Sequence, residues 1–150
     1  MRMRAVYPDF YSAREFAPLS LEHRFGLIAL WSYVEDNGVG RDDVNLIVGA
    51  CFPFEMRDPA LYEWVATLLN TLAAGRIIPR FAAYDVAYFE FVEWDRWQKP
   101  KNPAKVKYLR SEQLPTEAVN ISYVDPAEDL RTAFDGISED LPKSRSVVSS

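Results

Sequence analysis

The sequence is poor in the side chains that most catalytic and metal sites use. It contains one cysteine, Cys51, and one histidine, His23, in 150 residues. A single cysteine excludes an internal disulfide and a metal site built from several thiolates, and the apolar neighbours of Cys51 are typical of a small buried side chain. No serine, cysteine or pair of carboxylates is spaced so as to use His23 as a general base. We therefore predict a protein that is not an enzyme, with no catalytic residue, no metal ion and no other cofactor.

Long apolar runs are also absent. No stretch approaches the roughly 18 apolar residues of a membrane-spanning helix, and residues 1–10 lack the apolar core of a signal peptide. We therefore expect no contact with a membrane. Together with the lone cysteine, these features favour a reducing cytoplasm as the location.

Acidic residues are missing from residues 96–110, although the whole chain carries a net charge of −5. This segment holds six positive charges, at Arg96, Lys99, Lys101, Lys105, Lys107 and Arg110. Clustered lysine and arginine side chains release condensed counterions from phosphate groups, which favours binding to a polyanion. We predict that residues 98–110, which we call the basic arm, contact nucleic acid together with Arg96. A solvated linker is the alternative.

The negative charge is concentrated in residues 111–150, which hold eight acidic and three basic residues. Their apolar residues are isolated among Pro and Ser, so we predict an acidic, mostly disordered tail. Asp125-Pro126 is the one helix-start signal in it, for a short helix through Phe134 in which Leu130 and Phe134 are four apart.

Three helices are predicted between residues 20 and 74. The first begins after Ser20, a good N-cap, and ends at Asn37-Gly38. Its apolar positions recur at helical spacing and comprise Leu21, Phe25, Leu27, Ile28, Leu30, Trp31 and Val34. The second begins near Asp42 or Asp43 and stops before Pro53. The side chains that it should bury are Leu46, Ile47 and Ala50.

The third helix has the clearest start signal, because Asp58 can cap it and Pro59 suits its first position. Gly75 should end it, and its apolar face comprises Leu61, Val65, Leu68 and Leu72. Residues 76–81 and 86–94 are rich in β-branched and aromatic side chains, with room for a turn at 82–85, which predicts a β-hairpin. Three helices followed by a hairpin are the layout of a winged helix, an α+β fold in which helices two and three form a helix-turn-helix and the hairpin is the wing. We expect this domain to cover residues 1–97.

The third helix also carries the candidate base contacts. Thr67 and Asn70 lie opposite its apolar face and could reach base edges, although that face has no Lys or Arg. Phosphate contacts are predicted for Arg76 or Arg80 on the wing and for the arm beyond Arg96, with help from Arg2, Arg4 and Arg14. Trp97 and Tyr108 lie among the basic residues and could stack on single-stranded bases. Packing of Trp97 on the domain is the commoner alternative.

Several short motifs, read in order, resemble a known family. They are Pro8-x-Phe10-Tyr11, Leu19-Ser20, Arg24-Phe25-x-Leu27-Ile28-x-Leu30-Trp31, Glu35-Asp36-x-Gly38, Phe52-Pro53, Leu72-x-x-x-Gly75-x-Ile77 and Phe91-x-x-Trp94-x-x-Trp97-Gln98-Lys99-Pro100. Over about residues 3–104 this order is similar to the N-terminal winged-helix domain of phage replisome-organiser and replication-initiation proteins. Trp97 stands where that family usually has His, and we expect no second domain after it.

The resemblance implies a small phage or prophage DNA-binding protein that acts in replication initiation or regulation, in the cytoplasm of a bacterial host. Duplex DNA is the expected ligand rather than single-stranded DNA. The acidic tail is a candidate contact for replication or host proteins, and a homodimer is compatible with this interpretation. The alternative is a winged-helix protein-interaction module that binds a host or phage protein rather than DNA.

Overall fold

The computed structural model describes residues 1–120, which form an α+β structure. Within this range the helices are α1 (Leu21–Tyr33), α2 (Val44–Cys51), α3 (Pro59–Ala74) and α4 (Trp94–Trp97). The strands are β1 (Val39–Arg41), β2 (Arg80–Ala83), β3 (Val86–Glu90) and β4 (Val119–Asn120). Short 3-10 turns lie at Pro8–Ser12, Arg14–Phe16, Pro53–Glu55, Ser111–Gln113 and Thr116–Ala118. The predicted helix after Asp125 and most of the predicted tail lie outside the described residues.

The three helix starts are where the sequence predicts them. The Ser20 side chain accepts a hydrogen bond from the backbone N–H of His23, which caps α1. Asp43 accepts from two backbone N–H groups of the first turn of α2. Asp58 caps α3 in the same way, with Pro59 at the first helical position. Each cap satisfies backbone donors that have no partner inside the helix.

The helix ends differ more from the predictions. α1 ends at Tyr33, before the predicted Asn37-Gly38, because the chain turns at residues 35–38 to enter β1. Gly38 has a φ of 83° and is packed so closely that a Cβ would lie 2.8 Å from the Trp94 ring. α3 does end at Gly75, but the left-handed residue there is Arg76, with a φ of 59°.

The strands form one antiparallel sheet in the order β1-β3-β2-β4. The hairpin of β2 and β3 is confirmed, and its two turn residues, Tyr84 and Asp85, both have positive φ, as a two-residue type I′ turn needs. β2 begins only at Arg80, and the residues Ile77 and Ile78 that we assigned to it are buried in the helical core instead. The sequence did not predict β1, which pairs with β3 so that Gly40 lies opposite Phe89.

The main core lies between the helices and the inner face of the sheet. Trp31 and Leu68 are both buried in it, as predicted for the junction of the first and third helices. α1 approaches α3 closely at Gly26, where a Cβ would lie 2.6 Å from the Leu68 side chain. Because this contact fixes the buried face of α1, Leu21 and Phe25, which belong to its predicted apolar stripe, point away from the core and are 80% and 64% exposed. The stripe is therefore wider than the face that α1 buries.

The core face of α2 is also shifted from the prediction. Leu46 is exposed, while Ile47 is fully buried as expected. Val44 and Val48 are buried in addition, at three- and four-residue spacing that matches one helical face. The run of apolar residues in α2 therefore did not reveal which of them face the core.

A second, smaller apolar cluster covers the outer face of the sheet. Its buried residues are Val39, Phe81 and Ala83, and it is covered by Tyr88, Tyr108, Leu114 and Val119. Three of these covering residues belong to the basic arm or to the segment after it. The packed part of the chain therefore extends beyond residue 97, where we placed the domain boundary, to β4 at the edge of the sheet.

Substitutions on two adjacent α3 residues test the assigned helix phase. Leu68 has no exposed surface and Thr67 is exposed. Leu68→Ala should lower the free energy of unfolding by about 2 to 5 kcal/mol, from lost burial plus the cavity left behind. Thr67→Ala should change it by less than about 0.5 kcal/mol. Urea denaturation of both variants measures the difference, and equal losses would contradict this orientation of α3.

Candidate nucleic-acid interface

The basic arm is attached to the folded domain through its backbone. The N–H of Ala104 donates to the Asp36 carboxylate at 2.8 Å, and the Asn37 side chain donates to the carbonyl of Tyr108 at 2.6 Å. At the end of the arm, the Arg110 guanidinium donates to the carbonyls of Asn37 and Phe91, at 2.9 and 3.1 Å. The arm is thus held at three points against the loop before β1 and the end of β3.

Asp36 is the charged anchor of this attachment. Its carboxylate accepts the hydrogen bond from Ala104 and a second one from Arg4 at 2.8 Å, and it lies 3.6 Å from Arg2. The backbone hydrogen bond from Ala104 and the two arginines hold the pKa of Asp36 below its usual value. Arg2 also pairs with Glu35, so two of the three N-terminal arginines that we predicted as phosphate contacts bind carboxylates of this loop, whereas the third, Arg14, is exposed.

The lysines of the arm differ from its anchors. Lys99, Lys101, Lys105 and Lys107 are all exposed. Within residues 1–120 none of them forms an ion pair. The Lys107 ammonium lies 5.3 Å from the centroid of the Tyr108 ring, within cation–π range. Four positive charges without a carboxylate partner are therefore displayed on a backbone that is itself held in place.

The two arginines that flank the arm have other partners. Arg96 pairs with Glu15 at 2.8 Å and with Glu93 at 3.4 Å, and its guanidinium lies over the Trp97 ring. Arg110 lies 3.9 Å from Glu90 and 3.5 Å from Glu112, besides its two carbonyl contacts. Arg96 stays half exposed and its exposed pairs are weak, whereas Arg110 chiefly fastens the arm. Both arginines therefore differ from the four lysines, which have no ion pair among residues 1–120.

We predicted Arg80 as a phosphate contact on the wing, but the structure buries its side chain. Its side chain is only 3% exposed and binds the fully buried carboxylate of Asp42 through two hydrogen bonds of 2.5 and 2.9 Å. A third hydrogen bond, of 3.1 Å, goes to the side-chain oxygen of Asn70. One predicted phosphate contact and one predicted base contact therefore bind each other, whereas Arg76, the other arginine predicted on the wing, is exposed. The physical reason is Asp42, since a buried carboxylate needs a positive partner close by.

The remaining predicted contact residues differ in their exposure to solvent. Thr67 is exposed on α3, but α3 has no Lys or Arg. Trp97 is buried against Phe10, Phe16 and Trp31, so it packs on the domain rather than offering a stacking surface. Tyr108 is half-buried and contacts the Tyr88 ring at 5.3 Å. The exposed positive surface thus comes from the arm and not from α3.

We find no match for the chain among models of known protein families, curated proteins or solved structures. The resemblance to phage replication proteins accordingly remains a prediction from the sequence.

Arg41 is a cation near the arm that sequence reasoning missed. It lies on β1 two residues after Val39, so its side chain is on the outer face of the sheet, opposite Tyr88 on β3. Its Nε is buried and has no hydrogen-bond partner among the described residues. No signal in the sequence marked Arg41, because β1 itself was not predicted.

Other reactive side chains are dispersed. Burial raises the pKa of the Cys51 thiol to about 11, so it is protonated at neutral pH. His23 is half-buried beside the ring of Trp64. Among residues 1–120 there is no group of three or more His, Cys, Asp or Glu that could hold a metal ion. In the same part of the chain no helix has the length and apolar character to cross a bilayer.

Proposed function

We propose that this chain is a non-enzymatic DNA-binding protein whose basic arm contacts the phosphate backbone. The observation that carries this proposal is the group of four exposed lysines, which form no ion pair within residues 1–120, on a segment that hydrogen bonds hold against the domain. Each phosphate that a lysine neutralises releases condensed counterions. Because the arm is already ordered at its anchors, binding should cost less conformational entropy than for a flexible linker.

We further propose that the domain is a winged helix. In support, the elements follow the order α1-β1-α2-α3-β2-β3, and β1 adds to the hairpin as its third antiparallel strand. α2 and α3 would then be the helix-turn-helix. Since α3 carries no positive charge and Asn70 binds Arg80, base reading by α3 would be weak. We therefore infer binding that depends strongly on salt and only weakly on DNA sequence.

Duplex DNA fits this surface better than single-stranded DNA. Single-strand binding usually combines a basic groove with exposed aromatic rings on which bases stack. Here Trp97 is buried and Tyr108 is half-buried on the sheet, so the arm offers charge without a large stacking surface. A role in phage or prophage replication initiation, or in regulation, is part of this proposal and is supported by the sequence resemblance.

Titration of the full-length protein with labelled duplex and single-stranded DNA, each at two salt concentrations, tests the proposal. If four lysines each neutralise about one phosphate, duplex affinity should fall about 100-fold between about 50 and 200 mM salt. Duplex should bind more tightly than single-stranded DNA of the same length. Absence of duplex binding by the folded protein at low salt would contradict the proposed function.

Arg41 should contribute to the same surface. Arg41→Gln removes one positive charge next to the arm and should reduce the slope of log affinity against log salt by about one unit. Arg57→Gln is the matched control, because Arg57 is exposed on the connection between α2 and α3. The slopes come from fluorescence anisotropy titrations on duplex DNA. Equal slopes for the two variants would show that Arg41 makes no phosphate contact.

A further inference from the structure

An apolar groove lies on a part of the domain that the arm does not cover. Its walls are the first turns of α1 and α3, and its volume is about 500 Å³. Its apolar lining consists of Leu21, Phe25, Phe52, Leu61 and Trp64. These side chains are the apolar face of α1 that the core does not use, together with the start of α3. The α1 wall is therefore the part of the predicted apolar stripe that the core does not use, whereas Phe52, Leu61 and Trp64 are partly buried at the edge of the main core.

The exposure of this region is unusual for a folded domain. Besides Leu21 and Phe25, Phe54 on the connection between α2 and α3 is 97% exposed, and Met56 is exposed on the same connection. Single exposed apolar residues are common, but contiguous apolar patches usually mark an interaction site. Folding alone gives no reason for the five apolar lining residues of the groove to lie together at the surface.

The shape of the groove fits a helix. Leu21 and Phe25 are four residues apart on α1, and Leu61 and Trp64 are three apart on α3, so each wall is a ridge of a helix. Phe52 lies between them. A third helix can pack into such a groove with apolar anchors at i, i+3 or i+4, and i+7.

The charge of the groove selects among possible occupants. Its two charged lining residues, Glu22 and Glu55, are both acidic. The chain after Asn120 holds six acidic and three basic residues, so its own tail has the same sign as the groove. In a symmetric pair of copies the same two glutamates would face each other, which is unfavourable. A partner with positive charges beside its apolar anchors suits the groove better.

We propose that this groove binds an amphipathic helix of another protein, with apolar anchors at helical spacing and flanking Lys or Arg residues. The groove and the arm use different residues, so DNA binding and helix binding are independent properties of the chain. Binding of a helix in the groove can therefore be measured in the absence of DNA.

A synthetic peptide of about 15 residues, with leucine anchors at i, i+4 and i+7 and lysines elsewhere, is the probe. It is titrated into the full-length protein while the NMR signals of the four tryptophan indole N–H groups are recorded. The Trp64 signal should shift, and the signals of the buried Trp31, Trp94 and Trp97 should change least. A peptide with glutamate in place of lysine should bind at least about 10-fold more weakly.

Phe25→Glu should weaken binding of the lysine peptide at least about 10-fold. Tyr84→Glu is the matched control, because Tyr84 is an aromatic side chain of similar exposure, 71%, on the hairpin turn, and the change in charge is the same. Both positions are exposed, so both variants should keep the thermal stability of the parent. Unaltered binding by Phe25→Glu would overturn the proposal, as would equal affinity for the lysine and glutamate peptides or no binding of either.

Two further measurements test whether the groove is instead occupied by a second copy of the chain or by the chain's own tail. Self-association that Phe25→Glu abolishes, seen by analytical ultracentrifugation, would assign the groove to a second copy of the chain. A shift of the Trp64 signal in the full-length double variant Leu130→Glu, Phe134→Glu, without peptide, would assign it to the chain's own tail. Either result would contradict binding of a helix from another protein, and the absence of both results would support it.

Discussion

Replacement of Lys99, Lys101, Lys105 and Lys107 by alanine is expected to flatten the slope of log affinity against log salt by about 3 to 4 units on duplex DNA. At low salt this corresponds to a loss of affinity of several orders of magnitude, because the arm would supply most of the phosphate contacts. The preference between DNA sequences should hardly change, since lysine–phosphate contacts carry little sequence information. Anisotropy titrations over a series of salt concentrations measure both quantities.

Two controls separate a contact made by the arm from a general effect of charge. The variant with four arginines in place of the lysines keeps the positive charge and should keep the slope. The variant Arg57→Ala removes an exposed positive charge elsewhere on the domain and should leave the slope nearly unchanged. An unaltered slope in the quadruple alanine variant would show that the arm is only a solvated linker.

The sequence predicted the local features of the fold well. Caps depend on a side chain two or three residues from the N–H that it binds, so Ser20 and Asp58 could be identified, and the cap of α2 narrowed to Asp42 or Asp43, without knowledge of the tertiary structure. The hairpin was predicted in the same way, from two β-rich segments with a short gap. Its turn is made by Tyr84 and Asp85, which are not the usual Asn-Gly signal, and the exact turn was therefore not predicted.

Features that depend on distant contacts could not be predicted. β1 is only three residues long and contains glycine, and it is a strand because it pairs with β3 some fifty residues later. The outer cluster on the sheet likewise needs Tyr108 and Leu114 from beyond the arm. Apolar periodicity predicted a long stripe on α1, but it cannot tell a core face from an exposed groove. The exposure of Leu21 and Phe25 could not be predicted for this reason.

In the candidate interface too, contacts between residues distant in the sequence could not be predicted. In the sequence all six basic residues from Arg96 to Arg110 are equivalent, but in the part of the chain that the structure describes the two arginines have carboxylate partners and the four lysines do not. The planar, multivalent guanidinium suits fixed internal contacts, whereas the lysine ammonium stays well hydrated at the surface. Arg80 is the extreme case, because its partner Asp42 is 38 residues away. No local pattern could have shown that this arginine is internal.

The largest effect on stability is expected for Asp42→Ala. The carboxylate of Asp42 is buried, which raises its pKa, and the Arg80 guanidinium opposes that shift while forming two hydrogen bonds with it. Removal of Asp42 leaves the charge of Arg80 buried without its counter-ion, which should lower the free energy of unfolding by about 3 to 5 kcal/mol. Urea denaturation measures this loss. Asp95→Ala, at an exposed position, is the control and should cost less than about 0.5 kcal/mol.

The double variant Asp42→Ala, Arg80→Met distinguishes an unpaired charge from a simple loss of packing. Because it removes both charges, it should recover a large part of the stability that Asp42→Ala loses. No recovery would show that the pair is not the cause of the destabilisation. The same double variant also tests the reassignment of Arg80 from the DNA surface to the interior. If Arg80 is structural, the folded double variant should keep the salt slope of the parent on duplex DNA, whereas a slope reduced by about one unit would return Arg80 to the phosphate contacts.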